Sequence, residues 1–252
     1  MTDLGKMIVD DLRAAIMLLT RLPVWAAKGG DTPNLSRSTW AYPLVGMLVG
    51  TIGAVALFTA YSLGIGMILS VLIMITVMVL STGAFHEDGL ADTADGIGGG
   101  WTRERKLEIM RDSRIGTYGT VALLLSLGLR SAALVTISDI MLIMLSTVMA
   151  ATISRAGIVI LLFVMSPARS DGMGTVAENP PLLAVVTAMF FALLATQIMP
   201  HGMTAGAVGC IGLLLIYWMG KRHLDGYTGD LLGAGQQLVE IVILVTLSSL
   251  LT

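Results

Sequence analysis

Long apolar runs constrain this chain more than any other feature of its sequence. A helix needs roughly 20 consecutive apolar residues to cross a bilayer, and runs of about that length recur along the whole chain. They lie at residues 44–63, 67–85, 119–137, 140–165, 182–199, 203–219 and 237–251. The runs are continuously apolar and do not alternate with polar residues, which favours helices over a membrane barrel. The sequence therefore predicts an all-α, polytopic membrane bundle with about seven transmembrane helices and an N-terminal amphipathic helix over residues 7–22.

Composition narrows the class of protein further. A chain with 55% hydrophobic and only 13% charged residues is not an ordinary soluble domain. The polar connections are too short to fold separately, so we predict one membrane-embedded domain over residues 1–252. The net charge of −2 gives no sign of nucleic-acid binding. The single cysteine, Cys210, excludes an intrachain disulfide, and the charged first 15 residues predict no cleavable signal peptide.

The positive charges predict an orientation in the membrane. Five Lys and Arg residues precede the first run, five lie between the second and third, one lies between the fourth and fifth, and two lie between the sixth and seventh. All of these fall on one side if the spans alternate, and the positive-inside rule assigns that side to the cytoplasm. We therefore expect loops 86–118, 166–181 and 220–236 to carry a polar site on the cytoplasmic face of the membrane.

The longest charged block, residues 85–119, follows the second apolar run directly. If that helix continues, Asp88, Asp92 and Asp95 stand at i, i+4 and i+7 and share one narrow stripe of its surface. Three neighbouring carboxylates repel one another unless a cation lies among them. Oxygen ligands favour Mg²⁺, or Mn²⁺ as the alternative, over zinc. The spacing thus indicates a metal site, although a plain solvated loop is the competing interpretation.

The second half of the block supplies positive charge, in Arg103, Arg105, Lys106, Arg111 and Arg114. Carboxylates that hold a metal ion beside arginines are typical equipment for phosphoryl transfer, because both neutralise phosphate oxygens. The pattern predicts a phosphate ester or pyrophosphate substrate. Interleaved Arg and Glu at helical spacing are also typical of an exposed helix with surface ion pairs.

Three charged residues lie inside apolar runs, where each needs a partner. Arg130 is predicted to snorkel or to form a structural ion pair. Glu240 needs either a metal ion or a basic residue, and we count it among the candidate metal ligands. The third of these charged residues is Arg155, which lies in the apolar run at 140–165.

Five motifs resemble the cobalamin synthase family, whose members are adenosylcobinamide-GDP ribazoletransferases. They are HEDGLADTADG at 86–96, RKLEIMRDSRIGTYG at 105–119, TRLPV at 20–24, YPLVG at 42–46 and YTGDLLGA at 227–234. Their order covers nearly the whole chain. The resemblance implies an integral membrane enzyme of late vitamin B12 (cobalamin) biosynthesis, which joins adenosylcobinamide-GDP to α-ribazole or its 5′-phosphate and releases GMP.

The resemblance also implies roles for particular side chains. The metal ligands would be Asp88, Asp92, Asp95 and Glu240, the catalytic residues Asp92, His86, Arg111 and Arg114, and the substrate-binding residues Arg103, Arg155, Asp230 and Asp112. His86 titrates in the right range for a general base, although on an ideal helix it points away from the aspartate stripe.

Two other functions compete with this one. An enzyme resembling the CDP-alcohol phosphotransferases would also cluster aspartates at a membrane face, but their motif pattern is not reproduced. A secondary transporter would use the intramembrane charges as a midplane site, but it predicts internal repeats that the sequence lacks. The lipid bilayer is an expected partner in each case. The oligomeric state is left open, and a homo-oligomer is allowed.

Overall fold

The chain folds into a bundle of helices. The computed structural model describes residues 3–24, 34–170 and 177–251, and in that part the strand-like pairing is one isolated bridge between Pro167 and Tyr227. The all-α prediction is confirmed. The helices are α1 (Asp3–Leu19), α2 (Leu35–Ser38), α3 (Tyr42–Ser62), α4 (Met67–Thr82), α5 (Phe85–Gly99), α6 (Arg103–Ile109), α7 (Thr117–Thr136), α8 (Ile140–Val164), α9 (Leu182–Ala195), α10 (Gly202–His223) and α11 (Gly229–Leu250).

Fewer helices are long enough to cross a membrane than the apolar runs predict. Five segments within the described ranges qualify, namely Leu35–Ser62, α7, α8, α10 and α11, and the pair α4 and α5 adds a sixth if it counts as one broken span. The run at 182–199 contains only α9, whose 14 residues cover roughly 21 Å at 1.5 Å per residue, less than the thickness of a hydrocarbon core. The described part of the chain thus contains five helices, or six with the broken pair, that are long and apolar enough to cross a membrane, where the apolar runs predict about seven. The chain is a multi-pass membrane protein.

The predicted continuation of α4 into the charged block is wrong, because the helix stops at Gly83. Gly83 and Ala84 both adopt left-handed backbone conformations, with φ of 67° and 58°. The N–H groups of these two residues close the last turn of α4 onto carbonyls of Leu80 and Val79. A new helix, α5, then begins at Phe85 and runs at 87° to α4.

Helices α8 and α11 form the buried centre of the bundle. Helix α3 lies so close to α8 that a Cβ atom at Gly46 would collide with the carbonyl oxygen of Ala151. Small residues at such crossings let helix backbones approach closely, which is how helices commonly pack in membranes. The outer faces carry large exposed apolar side chains, among them Phe58, Leu124 and Leu214. Such faces are suited to contact with lipid.

Three polar loops meet at one end of the bundle. Arg103, at the start of α6, donates hydrogen bonds to the backbone carbonyls of Leu224 and Ala168. The backbone N–H of Ala168 donates to the carbonyl of Tyr227 at 2.7 Å. The described parts of loops 86–118, 166–181 and 220–236 are therefore neighbours, as their predicted location on one side of the membrane requires. Residues 171–176 of the middle loop lie outside the described part of the chain.

Candidate active site

The three predicted aspartates keep their register although the helix that carries them is a new one. Asp88, Asp92 and Asp95 all lie on α5, where Asp88 is exposed, Asp92 is half-buried and Asp95 is buried. The different burial shows that the three carboxylates do not share one environment. Asp88 and Asp92 are the two that remain accessible.

The start of α11 brings a further carboxylate to α5. Thr228 caps α11 by accepting a hydrogen bond from the N–H of Leu231 at 3.2 Å, and Asp230 follows in the first turn, where the helix dipole favours an acid. A Cβ atom at Gly89 would lie only 2.7 Å from the carbonyl oxygen of Asp230, so the two helix backbones touch here. Asp92 is consequently within electrostatic reach of Asp88 and Asp230.

The side chain of Asp95 binds the start of α7. Its side chain accepts hydrogen bonds from the backbone N–H groups of Gly116 at 2.7 Å and Gly119 at 2.9 Å, one on each oxygen. These are unsatisfied donors of the first turn of α7, which has no side-chain cap of its own. A Cβ atom at Gly116 would lie 2.5 Å from Oδ1 of Asp95, which explains why glycine is needed there. The geometry makes Asp95 the cap of α7, and its role as a metal ligand stays a prediction.

The predicted metal ligand Glu240 has a basic partner. Its Oε1 lies 2.9 Å from Nη2 of Arg130, and Oε2 accepts a hydrogen bond from Gln236. Arg130 also contacts Glu87 at 3.2 Å, which confirms the prediction of a structural ion pair for this arginine. The sequence left two partners open for Glu240, a metal ion or a basic residue, and in the structure Glu240 pairs with the basic residue Arg130.

His86 and Arg155 lie in the same buried interior and not beside the exposed aspartates. Both are at most 2% exposed, and both line a small polar cavity together with Glu87 and Arg130. Arg155 donates a hydrogen bond to the carbonyl of Ala151 at 3.1 Å, one turn earlier in α8. The structure therefore brings neither His86 nor Arg155 together with Asp88 and Asp92.

The predicted arginines of the charged block have different surroundings. Arg103 is bound to loop carbonyls, as described above, and Arg111 is exposed. Arg114 pairs with Asp112 at 2.7 Å on the surface, and its hydrogen bonds lower the pKa of Asp112 to about 2. A cleft of about 270 Å³ opens here, lined by Asp95, Asp112 and Arg114 together with the first turn of α7.

Arg169 is a functional candidate that the sequence analysis did not single out. Its Nη2 lies 3.4 Å from Oδ2 of Asp230, and its charge also acts on Asp92. The side chain is mostly buried, with 15% exposed. In the sequence Arg169 is one charge in a loop between two apolar runs. The pairing of that loop with the turn before α11, through Pro167 and Tyr227, brings it to the aspartates.

Comparison with known proteins identifies the family. The cobalamin-5-phosphate synthase family matches residues 11–248. The chain belongs to this family. The bacterial relatives agree: the adenosylcobinamide-GDP ribazoletransferase of Bradyrhizobium diazoefficiens is 44% identical over 97% of this chain and 95% of its own length. The protein with the same name from Azorhizobium caulinodans is 43% identical over 94% of this chain and 95% of its own. No solved structure matches the chain.

The structure shows which helices the family-like motifs form. The first motif, 86–96, forms most of α5, and the second supplies the glycines that Asp95 caps. The late motif, 227–234, forms the capped start of α11 with Asp230. Three of the five motifs are thus segments that meet around the aspartates.

Proposed function

We propose that this chain catalyses the transfer for which its relatives are named, joining adenosylcobinamide-GDP to α-ribazole, or to its 5′-phosphate, with release of GMP. In that reaction a hydroxyl oxygen of the ribazole forms a bond to the phosphorus next to the cobinamide arm. The bond from that phosphorus to the GMP oxygen breaks, GMP leaves with the electron pair, and the hydroxyl proton is released. The product is adenosylcobalamin or its 5′-phosphate.

The observation that carries the proposal is the contact between α5 and the start of α11. It gathers the carboxylates of Asp88, Asp92 and Asp230 with the guanidinium of Arg169 at the end of a membrane bundle. A substrate with an apolar body and a pyrophosphate needs this combination, because helices can contact the corrinoid while polar loops bind the phosphates.

Magnesium is the metal that these residues fit. The described ranges contain no group of three or more His, Cys, Asp and Glu side chains arranged to enclose a metal ion. Mg²⁺, however, usually binds through one or two carboxylates and completes its shell with waters and substrate phosphates. Asp88 and Asp92 would hold it, with Asp230 beside them, and the bound ion would neutralise charge on the pyrophosphate. Asp95 and Glu240 are less suitable ligands because both already have partners.

Three arginines would bind and orient the phosphates and the GMP group of adenosylcobinamide-GDP. Arg169 would donate hydrogen bonds to a phosphate oxygen at the carboxylates, where it already approaches Asp230. Arg114, which lines the 270 Å³ cleft, would hold the departing GMP together with Arg111, which precedes the lining residue Asp112 in the chain. We place this site on the cytoplasmic face of the inner membrane, on the strength of the clustered positive charges.

The reaction is tested with the full chain purified in lipid nanodiscs. Adenosylcobinamide-GDP and α-ribazole are supplied, and GMP and the corrinoid product are followed by chromatography and mass spectrometry. Equal amounts of GMP and adenosylcobalamin are expected. A parallel reaction with a CDP-lipid and an alcohol tests the competing substrate class, and release of CMP there without release of GMP in the first reaction would contradict the proposal.

A further inference from the structure

A cluster of charged and amide side chains lies inside the bundle, away from the accessible aspartates. Its centre is Arg130, which is 2% exposed. Nη2 of Arg130 lies 2.9 Å from Glu240 on α11, and Nη1 lies 3.2 Å from Glu87 on α5. A single guanidinium on α7 therefore joins the two helices that carry Asp88, Asp92 and Asp230.

Amide side chains of α11 extend the cluster. Gln237 donates a hydrogen bond to Oε1 of Glu87 at 3.0 Å, and its own carbonyl oxygen accepts from Arg130 at 3.1 Å and from Ser126 at 2.8 Å. Gln237 in turn donates to Gln236 at 3.0 Å. Each bond has a defined direction, so the cluster specifies one arrangement of α5 on α11.

Stability alone does not account for this cluster. Buried ion pairs can often be replaced by apolar side chains of similar volume without loss of stability, because desolvation of the charges offsets their attraction. Charges within membrane spans are costly, and they generally mark functional positions. The direct contact of α5 with α11 at Gly89 and Asp230 is a backbone packing contact, and packing contacts are not directional. The hydrogen bonds and ion pairs centred on Arg130, which we call the Arg130 clamp, are directional and fix the rotation of each helix.

The Arg130 clamp is connected to the aspartates through the two helices that it joins. Glu87 directly precedes Asp88 in α5, and Glu240 lies ten residues after Asp230, about 15 Å along α11 at 1.5 Å per residue. A rotation of α5 about its axis would move Asp88 and Asp92 relative to Asp230.

We propose that Arg130 is a positioning residue, whose bridge between Glu87 and Glu240 fixes α5 on α11 and so sets the spacing of Asp88 and Asp92 from Asp230. This inference rests on the proposed function for its kinetic consequence. The arrangement of α5 itself is independent of the reaction. Arg130 does not contact substrate in this account.

The test uses a substitution that keeps the buried charge balanced. The double variant Arg130→Gln with Glu240→Gln removes one positive and one negative charge, so it leaves Glu87 with Arg155 as its buried counter-charge. The matched control is Arg13→Gln with Asp10→Asn, which removes a surface pair of 3.4 Å on α1 whose side chains are 43% and 24% exposed. Both variants are purified in nanodiscs with wild type, and folding is checked by elution profile and thermal unfolding.

Two quantities are measured on each folded protein. Hydrogen exchange of the α5 amides requires no substrate, and it should be at least about 10-fold faster in the double variant, equivalent to roughly 1.4 kcal/mol. The kcat for GMP release should fall by about 10-fold or more, while KM for adenosylcobinamide-GDP stays within about two-fold, because substrate contacts are kept. The surface control should match wild type in both.

Several results would overturn the proposal. If the α5 amides of the folded double variant exchange at the wild-type rate, Arg130 only balances charge. A wild-type kcat in this variant leads to the same conclusion. If the double variant does not fold, Arg130→Lys decides, since lysine keeps the charge but lacks the planar fork that reaches two carboxylates. A lowered kcat in folded Arg130→Lys supports the proposal, and an unchanged kcat refutes it. If wild type itself releases no GMP, the proposed function fails, and the exchange of α5 alone decides the positioning role.

Discussion

Gly89 of α5 and Asp230 of α11 are in backbone contact, with only 2.7 Å between a Cβ built on Gly89 and the Asp230 carbonyl oxygen. This contact joins two sequence motifs, at 86–96 and 227–234, although Gly89 and Asp230 are 141 residues apart in the chain. It makes Asp230 a neighbour of Asp88 and Asp92. The arrangement of the proposed active site depends on this contact between α5 and α11.

Replacement of Gly89 by alanine should separate the two helices. The added methyl group meets backbone atoms that cannot move aside as a flexible side chain would, so we expect kcat to fall by at least about 10-fold, which corresponds to roughly 1.4 kcal/mol of transition-state stabilisation. The matched control is Gly128→Ala in α7, because the space around Gly128 is open. That variant should have wild-type activity, and if it were as impaired as Gly89→Ala, the contact would not explain the loss.

Asp95 should matter for stability and not for metal binding. Asp95→Ala removes the cap of α7, and loss of a cap costs about 1–2 kcal/mol, so the protein should unfold at a lower temperature. The Mg²⁺ concentration for half-maximal GMP release should be unchanged. Thermal unfolding in nanodiscs and Mg²⁺ titration of activity measure the two effects. A large increase in the Mg²⁺ requirement would make Asp95 a metal ligand, as the sequence alone predicts.

Arg169 should be important for binding the phosphates. A lost hydrogen bond to a charged group costs roughly 1.5–3 kcal/mol, so Arg169→Gln should lower kcat/KM by about 10- to 100-fold. Arg114→Gln provides the comparison at an arginine that is 87% exposed. Its kcat/KM should fall less than that of Arg169→Gln, and the fall should come from a higher KM for the nucleotide substrate. Steady-state kinetics of both variants decide the point. A wild-type kcat/KM in Arg169→Gln would remove this residue from the site.

The orientation in the membrane can be tested by cysteine labelling. Arg105 is an exposed position in the charged block, whereas the neighbouring Lys106 is buried and would label poorly. In a Cys210→Ser background, Arg105→Cys should react with an impermeant maleimide only when the cytoplasmic face is accessible. Leu63→Cys, at the α3–α4 turn and 76% exposed, should react from the opposite face. The reverse pattern would refute the cytoplasmic location of the site.

The sequence predicts the class of fold and the importance of α5, since apolar run length and aspartate spacing are local properties. It does not predict the break at Gly83 and Ala84, because a glycine in an apolar run is also compatible with a continuous helix, as Gly46 and Gly50 show inside α3. The left-handed turn is visible only in the backbone. Spacing also groups Asp95 with Asp88 and Asp92. Its separate role depends on where α7 begins in space, which is a long-range relationship.

The partners of the remaining charges are equally long-range. Glu240 and Arg130 are 110 residues apart, so hydropathy shows that each needs a partner without showing which one. Arg169 reaches Asp230 only through the pairing of two loops. The motifs of the family do include Asp230 and Gly89, which is why the resemblance adds more to the prediction of the site than the spacing does.

In the proposed reaction the accessible carboxylates of α5, those of Asp88 and Asp92, carry the transfer. The most direct measurement is the rate of GMP release by wild type, Asp92→Asn and Asp225→Asn in nanodiscs, with adenosylcobinamide-GDP and α-ribazole, over a range of Mg²⁺ concentrations. Asp225 is exposed and has a φ of 53°, a conformation that asparagine adopts readily, so it is the matched control. The account predicts Mg²⁺-dependent release by wild type and Asp225→Asn, and a loss of at least about 100-fold in folded Asp92→Asn. Wild-type turnover by Asp92→Asn would contradict it.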